Sequence, residues 1–381
     1  MHALDTAAPN KLCPSLPRAE QIIAGAVGSV VNSPLTPAAR AQSALPVRQG
    51  GLGVRDVRDC AAAAFLSSAF ATRDLQQQML QRGDLLPPGI PEAVDEYNSK
   101  AGLLGENAWT AQRLSDSPRS QKQLMEPCDQ RAFDFLLAQG SDIDRARLRA
   151  VSLDGSGDWM GAVPFPWNRM SSREVGTALC LRLGLPVFTS EHICPCGKDL
   201  CDQYGRHALI CPVYDDRVQR HNTLRDVVIE RSERAGLSPF REKSNLLPES
   251  HAKPGDVFLP SYVQGEPTAI DLVVSSPCTA SAYRHAAQQQ GYTAQRAEEA
   301  KDTKSYAVCA AQHIHFLGMA FETFGGLGKN AMSIVQRIGA MVAGKTGRSR
   351  AEEIQYFRQR LSLKLQRANA AMVHCRAEAH S

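Results

Sequence analysis

Two groups of side chains between residues 194 and 271 have the types and spacing for chemistry, and the chemistry differs. The first is soft. Cys194-Pro-Cys196, Cys201 and His207-Ala-Leu-Ile-Cys211 fall within 18 residues. Zinc takes four N or S ligands in a tetrahedron, and two close pairs separated by a turn supply them. Cys194 and Cys196 form one pair and His207 and Cys211 the other, with Gly197 and Gly205 easing the turns. Cys201 is a fifth thiol that can replace one ligand. Four protein ligands leave no open position, so the expected zinc is structural. The plainer alternative is a chance group of buried thiols.

The second group is hard. Asp256 follows Lys253-Pro254-Gly255, and Asp271 lies inside Ala269-Ile270-Asp271-Leu272-Val273. Adjacent strands can bring two such carboxylates together to hold Mg2+, which takes oxygen ligands. A metal held there would stabilise charge on a cleaved phosphodiester and activate water. A carboxylate in a strand as apolar as 270–274 needs a partner, whereas an acid that only ends a strand does not. Lys301 and Lys304, on an expected helix over 295–310, are candidates for the cation that positions water or phosphate. Glu322, at the end of a later strand, is a further candidate acid. The alternative for these three is an ordinary solvated helix face and strand end.

The elements that must position these groups follow from periodicity and turn residues. Residues 1–150 read as helices, with a glycine turn at 50–53, an alanine-rich helix over 59–70 and a Pro-Pro-Gly break at 87–89. Gly50, Gly51 and Gly53 lack the Lys-Ser/Thr of a phosphate-binding loop. Residues 151–190 form a linker whose loop includes Pro164 to Trp167, and Ser171-Ser-Arg-Glu174 starts a helix with a capping pattern. The knuckle occupies 191–212. Beyond it come a helix over 215–235, strands over 237–243, 256–259 and 268–275, a helix over 292–311 and a strand over 315–321. Tyr214-Asp215-Asp216 is no polymerase motif, because it begins a helix instead of joining two strands; Asp215 or Asp216 is expected to cap that helix.

Composition sets the bounds. The 381 residues, 43% hydrophobic and 22% charged, suit two or three globular domains. Net charge is only +4, but residues 329–381 hold ten Lys and Arg against three Glu. That basic tail, with Lys345, Arg348 and Arg350, has the electrostatic character of a phosphate-binding segment. Eleven cysteines, four of them clustered with His, favour metal binding in a reducing compartment over a disulfide framework. No apolar run suits a secretory leader or a membrane span, so an intracellular protein, nuclear or cytoplasmic, is expected.

The run Cys194-x-Cys196-Gly197…Gly205-x-His207…Cys211, then Arg220-His221-Asn222, Pro254-x-Asp256 and Ile270-Asp271, resembles the C-terminal region of non-LTR (LINE-like) retrotransposon reverse-transcriptase polyproteins. There a CCHC knuckle precedes a restriction-like endonuclease. Leu45-Pro46…Gly50-Gly51-Leu52-Gly53 is similar to the segment after the polymerase palm, and Phe321-Glu322-Thr323-Phe324-Gly325-Gly326 to a recurrent C-terminal motif. The resemblance implies zinc on Cys194, Cys196, His207 and Cys211, nuclease metal ligands at Asp256 and Asp271, and Arg220 and His221 near nucleic acid or the site. The usual lysine two residues after the second acid is replaced by Val273, so it must come from the next helix. No fingers or palm precede residue 45, and a severed or decayed piece is therefore expected. The expected fold is α+β: a helical region, a zinc knuckle, a restriction-endonuclease-like PD-(D/E)xK core over 213–328 and a basic helical tail over 329–381. The expected activity is Mg-dependent cleavage of DNA, with retroelement RNA as a second partner. The alternative is an inactive nucleic-acid-binding zinc module left by a decayed or domesticated retroelement.

Overall fold

The computed structural model describes residues 16–80, 87–166, 168–247 and 253–378; Trp167 of the expected aromatic loop and residues 1–15 lie outside them. The protein is α+β, mostly helical, with a small mixed sheet and a Cys/His cluster. Its chain divides into two compact units, one made of 1–30, 34–46 and 51–139, the other of 31–33, 47–50 and 140–381.

Among the described residues the first unit holds helices and no strand. Val57–Ala71 starts at Asp56, whose side chain accepts from the Arg58 N–H, and buries Ala62, Ala63, Leu66 and Phe70. Small alanines let Ile90–Ala101 and Gln121–Gln139 approach closely around Tyr97, Leu114 and Leu124. The Tyr97 hydroxyl donates to the Leu124 carbonyl at 2.9 Å, which satisfies a polar group inside an apolar core.

The second unit holds both candidate sites. It begins with Asp142–Val151 and Ser172–Leu183; the latter carries the expected capping box, Ser171 accepting from Glu174 N and Glu174 from Ser171 N. A two-stranded hairpin follows, β1 (His192–Ile193) antiparallel to β2 (Leu200–Cys201). The helix Asp216–Arg234 then leads into a four-stranded sheet of β3 (Phe240–Arg241), β4 (Val257–Val263), β5 (Glu266–Ser275) and β6 (His315–Glu322), in that spatial order. β3, β4 and β5 pair antiparallel, whereas β5 and β6 are parallel, joined across the helix Tyr292–Ala310.

Strand alternation sorts the sheet into two faces. Val257, Leu259, Ile270, Leu272, Met319 and Phe321 point to one and meet Leu224 and Val228 of Asp216–Arg234. Phe258, Ala269 and Phe316 point to the other, with Cys309 of Tyr292–Ala310. The C-terminal segment differs from the separate basic tail expected. Lys329–Thr346 and Arg350–Glu378 bury Ile334, Val335, Ile338, Phe357, Leu361 and Leu365 in the first of these cores. Their basic residues occupy the remaining faces, and charge count alone conceals the apolar stripe. Arg376 is fully buried and donates to Asp216 at 2.7 Å. No helix among the described residues is long and apolar enough to cross a membrane.

Candidate metal centre and acidic site

The Cys/His cluster forms because its two halves are each local. After β1, the chain turns at Gly197, which has φ +68, and the Cys194 carbonyl accepts from Gly197 N at 2.8 Å. His207 and Cys211 lie one helical turn apart, with Cys211 N donating to the His207 carbonyl at 2.9 Å, so both side chains share a face. One ligand atom from each of Cys194, Cys196, His207 and Cys211 lies within 4.8 Å of every other. Cys194 Sγ and Cys211 Sγ are 3.6 Å apart, and Cys196 Sγ and His207 Nε2 are 3.4 Å apart. A tetrahedron with zinc–sulfur bonds near 2.3 Å has edges of roughly 3.8 Å, close to the two donor separations given, so the cluster has the size for a zinc ion.

The surroundings complete the fit. Asp199 lies 3.3 Å from His207 Nδ1, which presents Nε2 to the thiols, the carboxylate support usual for a metal-ligating histidine. Burial pushes the Cys194 thiol up to about 12, while the Lys198 backbone N–H draws Cys196 down to about 6. Cys201 is fully buried beside Cys194 but stands outside the four-donor group, and so does His192, whose ring packs edge-on to Phe188. The cluster can hold a metal such as zinc.

The acidic pair is set by strand register. Val257 of β4 pairs with Ile270 of β5, which places Asp256 opposite Asp271. Asp271 in turn pairs with Gly318 of β6. A Cβ at Gly318 would sit 3.1 Å from the Lys301 Cβ and 3.2 Å from the Glu298 carbonyl. The missing side chain therefore lets the helix Tyr292–Ala310 lie close over β6, and Lys301 Nζ reaches Asp271 Oδ2 at 2.6 Å. Across the pair, His221 Nε2 is 3.0 Å from Asp256 Oδ1, and Leu272 N donates to Asp256 Oδ2 at 2.6 Å. Burial and then the neighbouring Asp256 carboxyl push Asp271 up to about 6, against the pull of Lys301. Burial also acts to raise Asp256, but the hydrogen bonds with His221 and Asp271 hold it below the ordinary carboxylate range. Two carboxylates thus face each other between a lysine and a histidine.

The other candidates separate from this group. Lys304 is exposed, one turn further along the helix. Glu322 pairs with Ser275, four residues along β5 from Asp271, a rise of roughly 13 Å. It is buried, accepts from the Thr293 hydroxyl at 2.7 Å and from the N–H groups of Thr293 and Ala294, and so caps Tyr292–Ala310. Glu298 does the same for Lys329–Thr346, accepting from Asn330 N at 3.2 Å and Ala331 N at 3.1 Å. Gly291 and Gly328, at the starts of those helices, have no side chain to cap with. Arg220 is buried and donates to Asn369 at 2.9 Å, so it braces the C-terminal helix. Lys345, Arg348 and Arg350 are exposed, Arg348 lying 3.6 Å from Glu353. Asp215 sits at the helix start in a left-handed conformation without a side-chain cap bond, while Asp216 is the residue that meets Arg376.

Two participants were not singled out from sequence. Gly318 had no signal beyond being a glycine within a strand, which marks close backbone approach. Glu242 donates its N–H to the Asp256 carbonyl at 3.0 Å, and its carboxylate bridges Arg225 and Lys253, walling one side of the pair. Compared with known proteins, the chain matches no family model and no curated sequence.

Proposed function

We propose that the second unit is the metal-dependent endonuclease portion of a retroelement polyprotein, with a restriction-endonuclease-like core that hydrolyses DNA phosphodiesters. The observation that carries this reading is the meeting of Asp256, Asp271 and Lys301 at one place on the sheet, from two strands and a crossing helix. The resemblance of the Cys/His, Arg-His-Asn and Pro-x-Asp motifs supports the retroelement origin. Four filled donor positions make zinc at Cys194, Cys196, His207 and Cys211 a structural ion.

The acidic donor set fits a hard divalent ion, since two facing carboxylates hold one of the pair near 6 and a cation between them would relieve that repulsion. Asp256 and Asp271 would hold Mg2+, which supplies charge stabilisation for the pentacovalent phosphate and a more acidic water. Lys301 orients and neutralises on the β6 side, its ammonium within reach of both a carboxylate and an incoming phosphate oxygen. His221 fixes the Asp256 carboxylate from the opposite side, and the Leu272 N–H fixes its second oxygen. Purified protein with Mg2+ and supercoiled plasmid tests the reading. Nicking by the wild type and none by Asp256→Ala/Asp271→Ala is expected, and equal activity of the two would sink it.

One observation favours the second reading, an inactive binding module. Lys301 already pairs with Asp271, and His221 already lies 3.0 Å from Asp256, so both acids have a protein partner within the site. That module binds DNA or retroelement RNA with strong salt dependence through Lys345, Arg348 and Arg350, and cuts nothing.

A further inference from the structure

Next to the acidic pair the sheet edge presents an aromatic and basic surface that the residues above do not use. Phe240 of β3 pairs with Phe258 of β4, and their ring centroids lie 6.4 Å apart. Phe258 is buried, but the Phe240 ring is 45% exposed, unusual for so large an apolar side chain beside a polar site. Paired residues in an antiparallel ladder share a face, and Phe258 is two residues from Asp256, so the Phe240 ring and the acidic pair lie on one face. One strand over and two residues along amounts to roughly 8 Å of backbone separation.

The charges around the ring are unequal. Arg241 lies 3.0 Å from Asp226, and Lys253 and Arg225 both bind Glu242. Lys243 is different: its ammonium sits 4.1 Å from the Phe240 centroid and 4.9 Å from that of Phe258, and among the described residues it pairs with no carboxylate. A cation held over two rings, with no acid paired to it among the described residues, leaves that charge available to an anion. An exposed ring next to a cation with no described carboxylate partner matches the alternation of base and phosphate in a single strand, where every base has a face to stack. Bases inside a duplex are already stacked and cannot use it.

Resting on the nuclease reading, we propose that Phe240 is a stacking platform for an unpaired base beside the phosphodiester to be cut, and that Lys243 binds the neighbouring phosphate. The site is therefore built for DNA with a single-stranded or frayed stretch. The test uses the full chain, a fluorescent single-stranded oligodeoxynucleotide carrying 2-aminopurine, and a duplex of the same sequence, both in Ca2+ to suppress cleavage. Phe240→Ala should weaken single-strand binding about tenfold, equivalent to about 1.4 kcal/mol, abolish the 2-aminopurine quenching, and change duplex binding less than about twofold. Phe240→Trp should restore both signals. Lys243→Met should weaken single-strand binding and lower its salt slope by about one. Unchanged single-strand binding by Phe240→Ala, or equal losses on single strand and duplex, would overturn the proposal. Plasmid nicking by the wild type is scored separately. Stacking without nicking overturns the nuclease reading alone, and nicking with unchanged binding by Phe240→Ala overturns the platform alone.

Discussion

The Cys/His cluster and the acidic pair lie in the same unit, yet they are built on opposite plans. The cluster gathers its four donors from 18 consecutive residues and spaces them as the edges of a small tetrahedron. Three sulfurs and an imidazole gathered there form a donor set that could hold a metal ion. The acidic pair draws on a helix start, two strands and a crossover helix, residues 221 to 301. Each of its acids already has a side-chain partner, Lys301 for Asp271 and His221 for Asp256. Four donors from one short stretch suit a locally built ion site, whereas the acidic pair depends on tertiary packing to bring its partners in. The two are joined by Arg376, which donates to the Cys211 carbonyl at 3.5 Å and to Asp216 at 2.7 Å. That bond ties the knuckle to the helix that carries His221.

The largest expected effect tests the first half of this contrast. Cys211→Ser should remove one zinc per chain and lower the melting temperature by more than about 10 °C, because a structural zinc contributes free energy on the order of 10 kcal/mol to its local fold. Cys201→Ala should keep the metal. Native-state metal analysis with thermal melting checks both, and loss of zinc from Cys201→Ala would show that the fifth thiol is a ligand.

The second effect falls on activity and leaves the fold largely intact. Lys301→Met and Asp271→Asn should each lower nicking about 100-fold or more, the usual cost of deleting one electrostatic group at a reacting centre. The double variant should be little worse than either single one, since the two act as a unit. Lys304→Met should change nicking less than about twofold, in keeping with its exposure. Additive losses for Lys301 and Asp271 would separate them mechanistically.

How much of this was legible in the sequence follows the same division between local and distant. The four Cys and His donors lie within one short stretch, so spacing sufficed to group them. Asp256 and Asp271 are brought opposite by neighbouring antiparallel strands; the sequence indicated only two acids on adjacent expected strands. Lys301 and Lys304 could not be ranked, because the choice depends on Gly318, whose missing Cβ sets how closely the helix approaches. Arg220 and His221 are adjacent, and neighbours on a helix point about 100° apart. One is buried against Asn369 and the other meets Asp256. Glu322 looked like a site acid because its role, capping a helix that begins 30 residues earlier in the chain, depends on a tertiary contact that no local pattern encodes. The basic C-terminal segment was read by its charge, whereas its apolar stripe is what the core uses.

Glu322 sharpens the distinction between acids that cap and acids that react. Burial raises its carboxyl above the ordinary value, although Thr293 and the helix N–H groups pull the other way. A folded-state value above the unfolded one means that the folded protein holds the proton more tightly. The resulting stability is present below the unfolded pKa near 4.5 and is lost as pH rises through the folded value. Glu322→Gln cannot ionise, so its stability relative to wild type should improve from pH 4 to pH 8. Nicking should be unchanged within about threefold. A steep activity loss with no pH-dependent change in melting would return Glu322 to the reacting group.

The smallest effect on stability comes from the exposed cations, and it separates binding from cutting. Lys345, Arg348 and Arg350 are exposed, and the 3.6 Å approach of Arg348 to Glu353 is of a kind that contributes less than about 1 kcal/mol. Replacing all three with Gln should leave the melting temperature within about 2 °C. Their charge acts at longer range. If they contact phosphates, each replacement lowers the slope of log binding constant against log salt by about one on duplex DNA. A triple variant with an unaltered salt slope but intact binding moves the duplex contact elsewhere on the second unit. A lowered slope with undiminished plasmid nicking at low salt assigns these residues to affinity alone and leaves Asp256, Asp271 and Lys301 as the group that cuts.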